Sequence, residues 1–132
     1  MASVAPDLRV LYVDDDDLVR DLVGISLARD PKLELHAAGS GEEALACLAS
    51  FAPAVILLDV SMPAMDGPEV LKRLRGAHGY DRTPVIFMTA RGMAEEREQL
   101  MRLGAAAVIT KPFDPITLPS DIRAIVQTWQ DG

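Results

Sequence analysis

The chain has 132 residues, 49% hydrophobic and 25% charged, enough apolar material for one domain with a buried core. No apolar run approaches the roughly 20 residues of a membrane helix, and residues 1–7, read as a tail, carry neither a basic region nor an apolar signal core, so a cytoplasmic location is the expectation. The net charge of −7 with no Lys/Arg cluster argues against direct nucleic-acid binding, and the single Cys47 cannot close an internal disulfide.

Strand-like and helix-like segments alternate along the chain. Residues 8–13 form a short apolar run that predicts a strand. Residues 16–29 place Leu18, Leu22, Val23, Ile25 and Leu27 near helical spacing. A brief strand over 33–37 precedes a helix over 40–50, which Ser40 and Glu43 open as a capping box. Residues 54–58 are apolar without alternation, as in a strand covered on both faces of a parallel sheet.

The third helix is expected over 67–75, with Asp66 as cap, Pro68 in the first turn and Glu69 completing a second capping box. A fourth strand follows over 84–88, then a helix over 93–103 stopped by Gly104. The fifth strand, over 106–110, is weakened by its alanines. The last helix starts near 117–119, where Pro119 is tolerated, and reaches about Trp129. This βαβαβαβαβα order implies an α/β doubly wound parallel sheet with helices on both faces and a binding site at the carboxyl ends of the strands.

Those strand ends carry the polar residues. Asp14 and Asp15 follow the first strand, Asp59 the third, Thr89 the fourth and Lys111 the fifth. Parallel strands would gather three carboxylates, a hydroxyl and an ammonium around one cleft. Carboxylates that close repel one another. A hard divalent cation such as Mg2+, which takes oxygen ligands and keeps waters, relieves the repulsion. Lys111 can serve as a point-charge partner for phosphate, and Thr89 as a hydrogen-bond donor to it. Such a set suits phosphoryl transfer, where positioning and charge neutralisation dominate catalysis.

The segments VLYVDDDDLVR (10–20), ILLDVSMPAMDG (56–67), PVIFMTA (84–90) and ITKPFDP (109–115) resemble the signature blocks of bacterial two-component response-regulator receiver domains, of the single-domain chemotaxis-regulator type. The resemblance covers residues 8–130 and implies a flavodoxin-like (βα)5 fold with strand order 2-1-3-4-5. It implies that Asp59 is the phosphoacceptor and that Asp14, Asp15, Asp59 and the backbone carbonyl of Ser61 hold Mg2+. Thr89 and Lys111 would bind the phosphoryl group, and the Lys111–Pro112 bond would be cis. The implied phosphodonor is a histidine kinase or a histidine phosphotransfer protein. The output would pass to a protein partner, with no nucleic acid or membrane engaged directly, through the face formed by the fourth helix, the fifth strand and the fifth helix. That face would serve a monomer or a weak dimer.

One departure concerns the position three residues before Lys111. Many receivers carry an aromatic residue there that swings inward on phosphorylation, whereas this chain has Val108. Arg91, two residues past Thr89, and Ser61 flank the site and could tune phosphate lifetime.

Several residues read most simply as structural. Asp16 and Asp17 suit the N-terminus of a helix, where the dipole favours anions. His36 and His78 lack partners at ligand spacing. Cys47 suits a small buried hydrophobe. The methionines suit packing, and Glu95–Glu98 with Arg97 suit a solvated helix face. Trp129 either packs on the body or offers a partner contact.

Three function classes remain in view. A phosphorylation switch uses all of Asp14, Asp15, Asp59, Thr89 and Lys111. A phosphate-independent docking module of the same fold, or a receiver fragment of a hybrid histidine kinase, would share the architecture. A freestanding aspartyl-phosphate phosphatase would need a cap or pocket that 132 residues scarcely leave room for, and there is no GxxxxGK[ST] or GxGxxG loop for a nucleotide.

Overall fold

A computed structural model describes residues 5–132; residues 1–4 of the expected tail lie outside it. The elements run β1 (Leu8–Val13), α1 (Asp17–Leu27), β2 (Leu33–Ala38), α2 (Gly41–Ala46), α3 (Leu48–Phe51), β3 (Val55–Asp59), α4 (Gly67–Arg75), β4 (Val85–Thr89), α5 (Ala94–Arg102), β5 (Ala107–Thr110) and α6 (Leu118–Asp131). The strands form a parallel sheet in the order β2-β1-β3-β4-β5, as the resemblance implied.

Successive side chains of a strand point to opposite faces, and that rule divides the core in two. Leu8, Val10 and Tyr12 of β1, Val55 and Leu57 of β3, and Ile86 and Met88 of β4 pack with Val23 and Leu27 of α1 and Leu118, Ile122 and Val126 of α6. Their strand neighbours Leu11, Val13, Ile56, Leu58, Val85 and Phe87 pack on the other face with Ala44, Leu48, Val70, Leu71, Leu74, Leu100 and Val108. Residues buried on both faces explain the unbroken apolar runs of the central strands.

The helix starts follow local chemistry. Asp16 caps α1, its Oδ1 accepting from the backbone N–H groups of Leu18 and Val19. Asp66 caps α4 by accepting from Glu69 N, with Pro68 in the first turn. Ser40 caps α2 by accepting from Glu43 N. Both capping boxes are half formed. Glu69 reaches along its helix to Arg73, and Glu43 accepts from Gly39 N instead of the cap residue. Gly104 ends the α5 segment at φ 102°, a conformation that favours glycine.

Three expectations need correction, and the apolar residues read in α1 divide between two faces. The helix expected over 40–50 breaks at Cys47 into α2 and α3, and Ala52 then closes α3 in the left-handed region. The third and fourth strands extend one residue further than expected, so Asp59 and Thr89 lie within the sheet rather than just past it. Leu18, Leu22 and Ile25 of α1 face solvent, because only Val23, Ser26 and Leu27 of that helix are buried. Met93 and Met101 are likewise exposed rather than packed. No helix among the described residues is long and apolar enough to cross a membrane.

Candidate functional site

The site forms where β1, β3, β4 and β5 end. Parallel register sets Asp59 beside Met88 and Thr89 beside Thr110, and Asp14 follows Val13 at the same edge. The backbone holds these ends together: Asp14 N donates to Ala38 O, Val60 N to Met88 O, and Lys111 N to Thr89 O. Beneath Asp59, Gly67 N donates to Val60 O, and a Cβ at Gly67 would lie 2.5 Å from the Asp59 carbonyl oxygen. Only glycine fits that approach.

The carboxylates of Asp14, Asp15 and Asp59 each offer an oxygen within 4.8 Å of the others. Asp14 is 1% exposed and Asp59 7%, while Asp15 is open to solvent. Lys111 Nζ donates to Asp14 Oδ2 at 2.9 Å and to Asp59 Oδ1 at 3.0 Å. With all three acids ionised, one ammonium faces three negative charges, leaving two unbalanced. Burial pushes the Asp59 carboxyl above its ordinary value; the Lys111 hydrogen bond opposes this, and the charges of Asp14 and Asp15 add to it. Burial draws Lys111 down, but its bonds to Asp14 and Asp59 prevail and hold it above the ordinary lysine value. Oxygen donors with surplus negative charge are what a hard divalent cation takes, so the residues present fit Mg2+.

Asp14 is held by more than Lys111. Tyr12, fully buried, donates its hydroxyl to Asp14 Oδ2 at 2.5 Å, and Asp16 N donates to Oδ1 at 3.0 Å. Burial and then the Asp14 hydrogen bond raise the Tyr12 phenol well above its ordinary value. Arg20 Nη1 donates to the Asp14 carbonyl at 2.6 Å, and its other arm pairs with Asp17. Neither Tyr12 nor Arg20 was singled out from the sequence. A signal for Tyr12 is present: Asp14 directly follows β1 two residues after Tyr12, and extended backbone continuing from the strand turns both side chains to one face.

Thr89 is 3% exposed, and its Oγ1 accepts from Arg91 N at 3.0 Å. The hydroxyl lies 2.5 Å from Glu96 Oε1 on α5. This corrects the expectation that Glu95–Glu98 form a solvated face: Glu96 turns inward, half-buried, and its neighbours stay out. Arg97 also departs from it, donating to Thr110 Oγ1 at 3.2 Å and to Val108 O at 3.3 Å. Ser61 lies exposed in the loop after β3, and Arg91 is exposed beside Thr89. The Lys111–Pro112 bond is cis.

The remaining candidates lie apart from the cleft. His36 stacks its ring at 5.3 Å from Phe51, and His78 is exposed. Cys47 Sγ lies 3.2 Å from Ala44 O, and burial raises its thiol. Trp129 Nε1 donates to Arg82 O, so the ring packs on the body at the opposite end of the sheet.

Comparison with known proteins places this geometry in a family. The profile described as "Response regulator receiver domain" matches residues 10–123. The response regulator Rre1 of Synechocystis is 34% identical over 127 residues, covering 96% of this chain and 55% of Rre1. The regulatory protein AtoC of Escherichia coli is 42% identical over 106 residues, covering 80% of this chain and 22% of AtoC. The chain thus spans about half or less of these curated relatives. Among solved structures, the chemotaxis response regulator CheY4 of Vibrio cholerae superposes with a TM-score of 0.81 at 32% identity, covering 92% of this chain and 99% of CheY4. The chain belongs to the response regulator receiver domains of two-component signalling.

Proposed function

We propose that this receiver domain is a phosphorylation switch in which Asp59 accepts a phosphoryl group from a histidine phosphodonor. One observation carries the proposal: a single ammonium, Lys111, is suspended between the buried carboxylates of Asp14 and Asp59 while Asp15 adds uncompensated charge. An Asp59 carboxylate oxygen attacks phosphorus, the new O–P bond forms as the donor's P–N bond breaks, and the departing imidazole nitrogen keeps the electron pair. Lys111 pairs with a phosphoryl oxygen, and the Thr89 hydroxyl donates to another. Asp14, Asp15, Asp59 and the Ser61 carbonyl would hold Mg2+, which supplies charge neutralisation for the transferring group when bound. The domain acts in the cytoplasm on a protein partner, through the face of α5, β5 and α6, as a monomer or weak dimer.

Intact mass after incubation with acetyl phosphate and Mg2+ tests this. The expected result is a gain of one phosphoryl group that requires Mg2+ and disappears in Asp59→Asn. An unchanged gain in Asp59→Asn would move the acceptor elsewhere. No gain and no response to Mg2+ with beryllofluoride, in folded protein, would favour a phosphate-independent docking module, the alternative that Val108 suggests.

A further inference from the structure

Helix α5 is held to the body by very little apolar packing. Its single buried residue is Leu100, and its N-cap residue, Met93, makes no side-chain capping bond. What holds its first turns is polar. Glu96 meets the Thr89 hydroxyl at the end of β4, and Arg97 reaches Val108 O and Thr110 Oγ1 on β5. Two adjacent residues thus tie the helix to two neighbouring strand ends.

A threonine hydroxyl has one proton to donate. Here the acceptors within reach are Glu96 Oε1 at 2.5 Å and Arg91 O at 3.1 Å, and the carboxylate is the stronger of the two. A phosphoryl group on Asp59 would bring up to three acceptor oxygens and about two negative charges to the same cleft. It would compete for that one proton and repel the Glu96 carboxylate.

We infer that Glu96 is a positioning residue that latches Thr89 to α5 in the resting protein, and that phosphorylation releases α5 by taking the Thr89 proton from it. The inference rests on the phosphorylation switch proposed above. Val108 on β5 offers no aromatic ring to swing between the site and the output face, and the Thr89–Glu96 bond makes a direct link from the site to α5. Release leaves Arg97 as the polar tie between α5 and β5, so the expected motion is a loosening of the first turns of α5.

Amide hydrogen exchange read by mass spectrometry, on wild type, Glu96→Ala, Thr89→Val and the double variant, tests the latch without any phosphodonor. The expected result is faster exchange over residues 94–102 in each single variant, no further gain in the double variant, and unchanged exchange over α4 and α6. Exchange of α5 equal to wild type in Glu96→Ala would overturn the latch. The second measurement is half-saturation by beryllofluoride with Mg2+, followed by the same exchange readout. Removing a competing carboxylate acceptor should tighten it about tenfold in Glu96→Ala, whereas mere structural damage would weaken it. Weaker or unchanged half-saturation would overturn the competition. Should wild type take up no phosphoryl group while Glu96→Ala still loosens α5, the phosphorylation reading falls and the resting tie stands.

Discussion

Replacing Lys111 with Met keeps the aliphatic stem and removes the one cation between Asp14 and Asp59. The lysine side chain is 19% exposed and those of Asp14 and Asp59 are 1% and 10% exposed, so the carboxylates are left largely desolvated and facing each other. Deleting one partner of a buried pair costs about 3–5 kcal/mol. Asp14 keeps its bonds from Tyr12 and Asp16 N, and the site opens at the sheet edge, which lowers the expectation to about 2–3 kcal/mol. For a domain of this size that is a fall in Tm of about 10 °C. Thermal melts without Mg2+ provide the measurement.

The sign of the pH dependence follows from Asp59. Its folded value already lies above the ordinary one of 3.8 and rises further without Lys111. A group that holds its proton more tightly when folded favours folding at low pH and loses that contribution as pH rises through the folded value. The gap between variant and wild type should therefore be widest near about pH 7 and close toward about pH 4, in the ordinary carboxylate range. Mg2+ should raise the Tm of the variant more than that of wild type, since binding to the folded state stabilises by mass action and the cation takes over the neutralising role. A Tm within about 2 °C of wild type near pH 7 would refute the claim that this ammonium balances buried charge.

Other outcomes follow from the same structure. Tyr12 and Tyr80, the two tyrosines, are both raised by burial, so in ultraviolet titration Tyr80 should ionise above the ordinary tyrosine value of about 10, and fully buried Tyr12 should ionise only when the fold is lost. Gly67→Ala forces a Cβ against the Asp59 carbonyl and 3.0 Å from the Phe87 ring, and should cost about 1–3 kcal/mol by urea unfolding, as overpacking does. Leu18→Glu and Ile25→Glu alter exposed side chains of α1, the helix that follows Asp14 and Asp15, and should change stability by under about 0.5 kcal/mol. They should slow transfer from a histidine phosphotransfer protein and leave uptake from acetyl phosphate unchanged, which a paired rate comparison reads.

The parallel sheet and the gathering of Asp14, Asp59, Thr89 and Lys111 could be anticipated because each lies at the end of an apolar run, and parallel pairing sends run ends to one edge; the strand order followed from the family resemblance alone. What the sequence could not reveal depends on how elements sit against each other. The spacing of Leu18, Leu22 and Ile25 is right for a helix but says nothing of which stripe meets the sheet; α1 turns Val23 and Leu27 inward. Glu96 looks like its charged neighbours Glu95, Arg97 and Glu98, and only the path of residues 90–93 brings it to Thr89. Cys47 breaks a helix that its composition favours, because α3 must turn to bring Leu48 into the core and Tyr80 Oη to Leu48 O. Two capping boxes stayed incomplete because Glu69 and Glu43 found other partners.

The sparse anchoring of α5 also bears on how such a domain can change its associations over time. A helix that commits one side chain to the core and two to polar ties leaves the other six of its nine residues free of the fold's demands. Substitutions there alter what the surface presents without eroding the sheet or the acidic cleft. If α5 carries the output and the cleft the phosphoryl chemistry, as proposed above, the two are written on separable parts of one domain, and a duplicated copy could be redirected to a new listener while its acidic centre stays as it was.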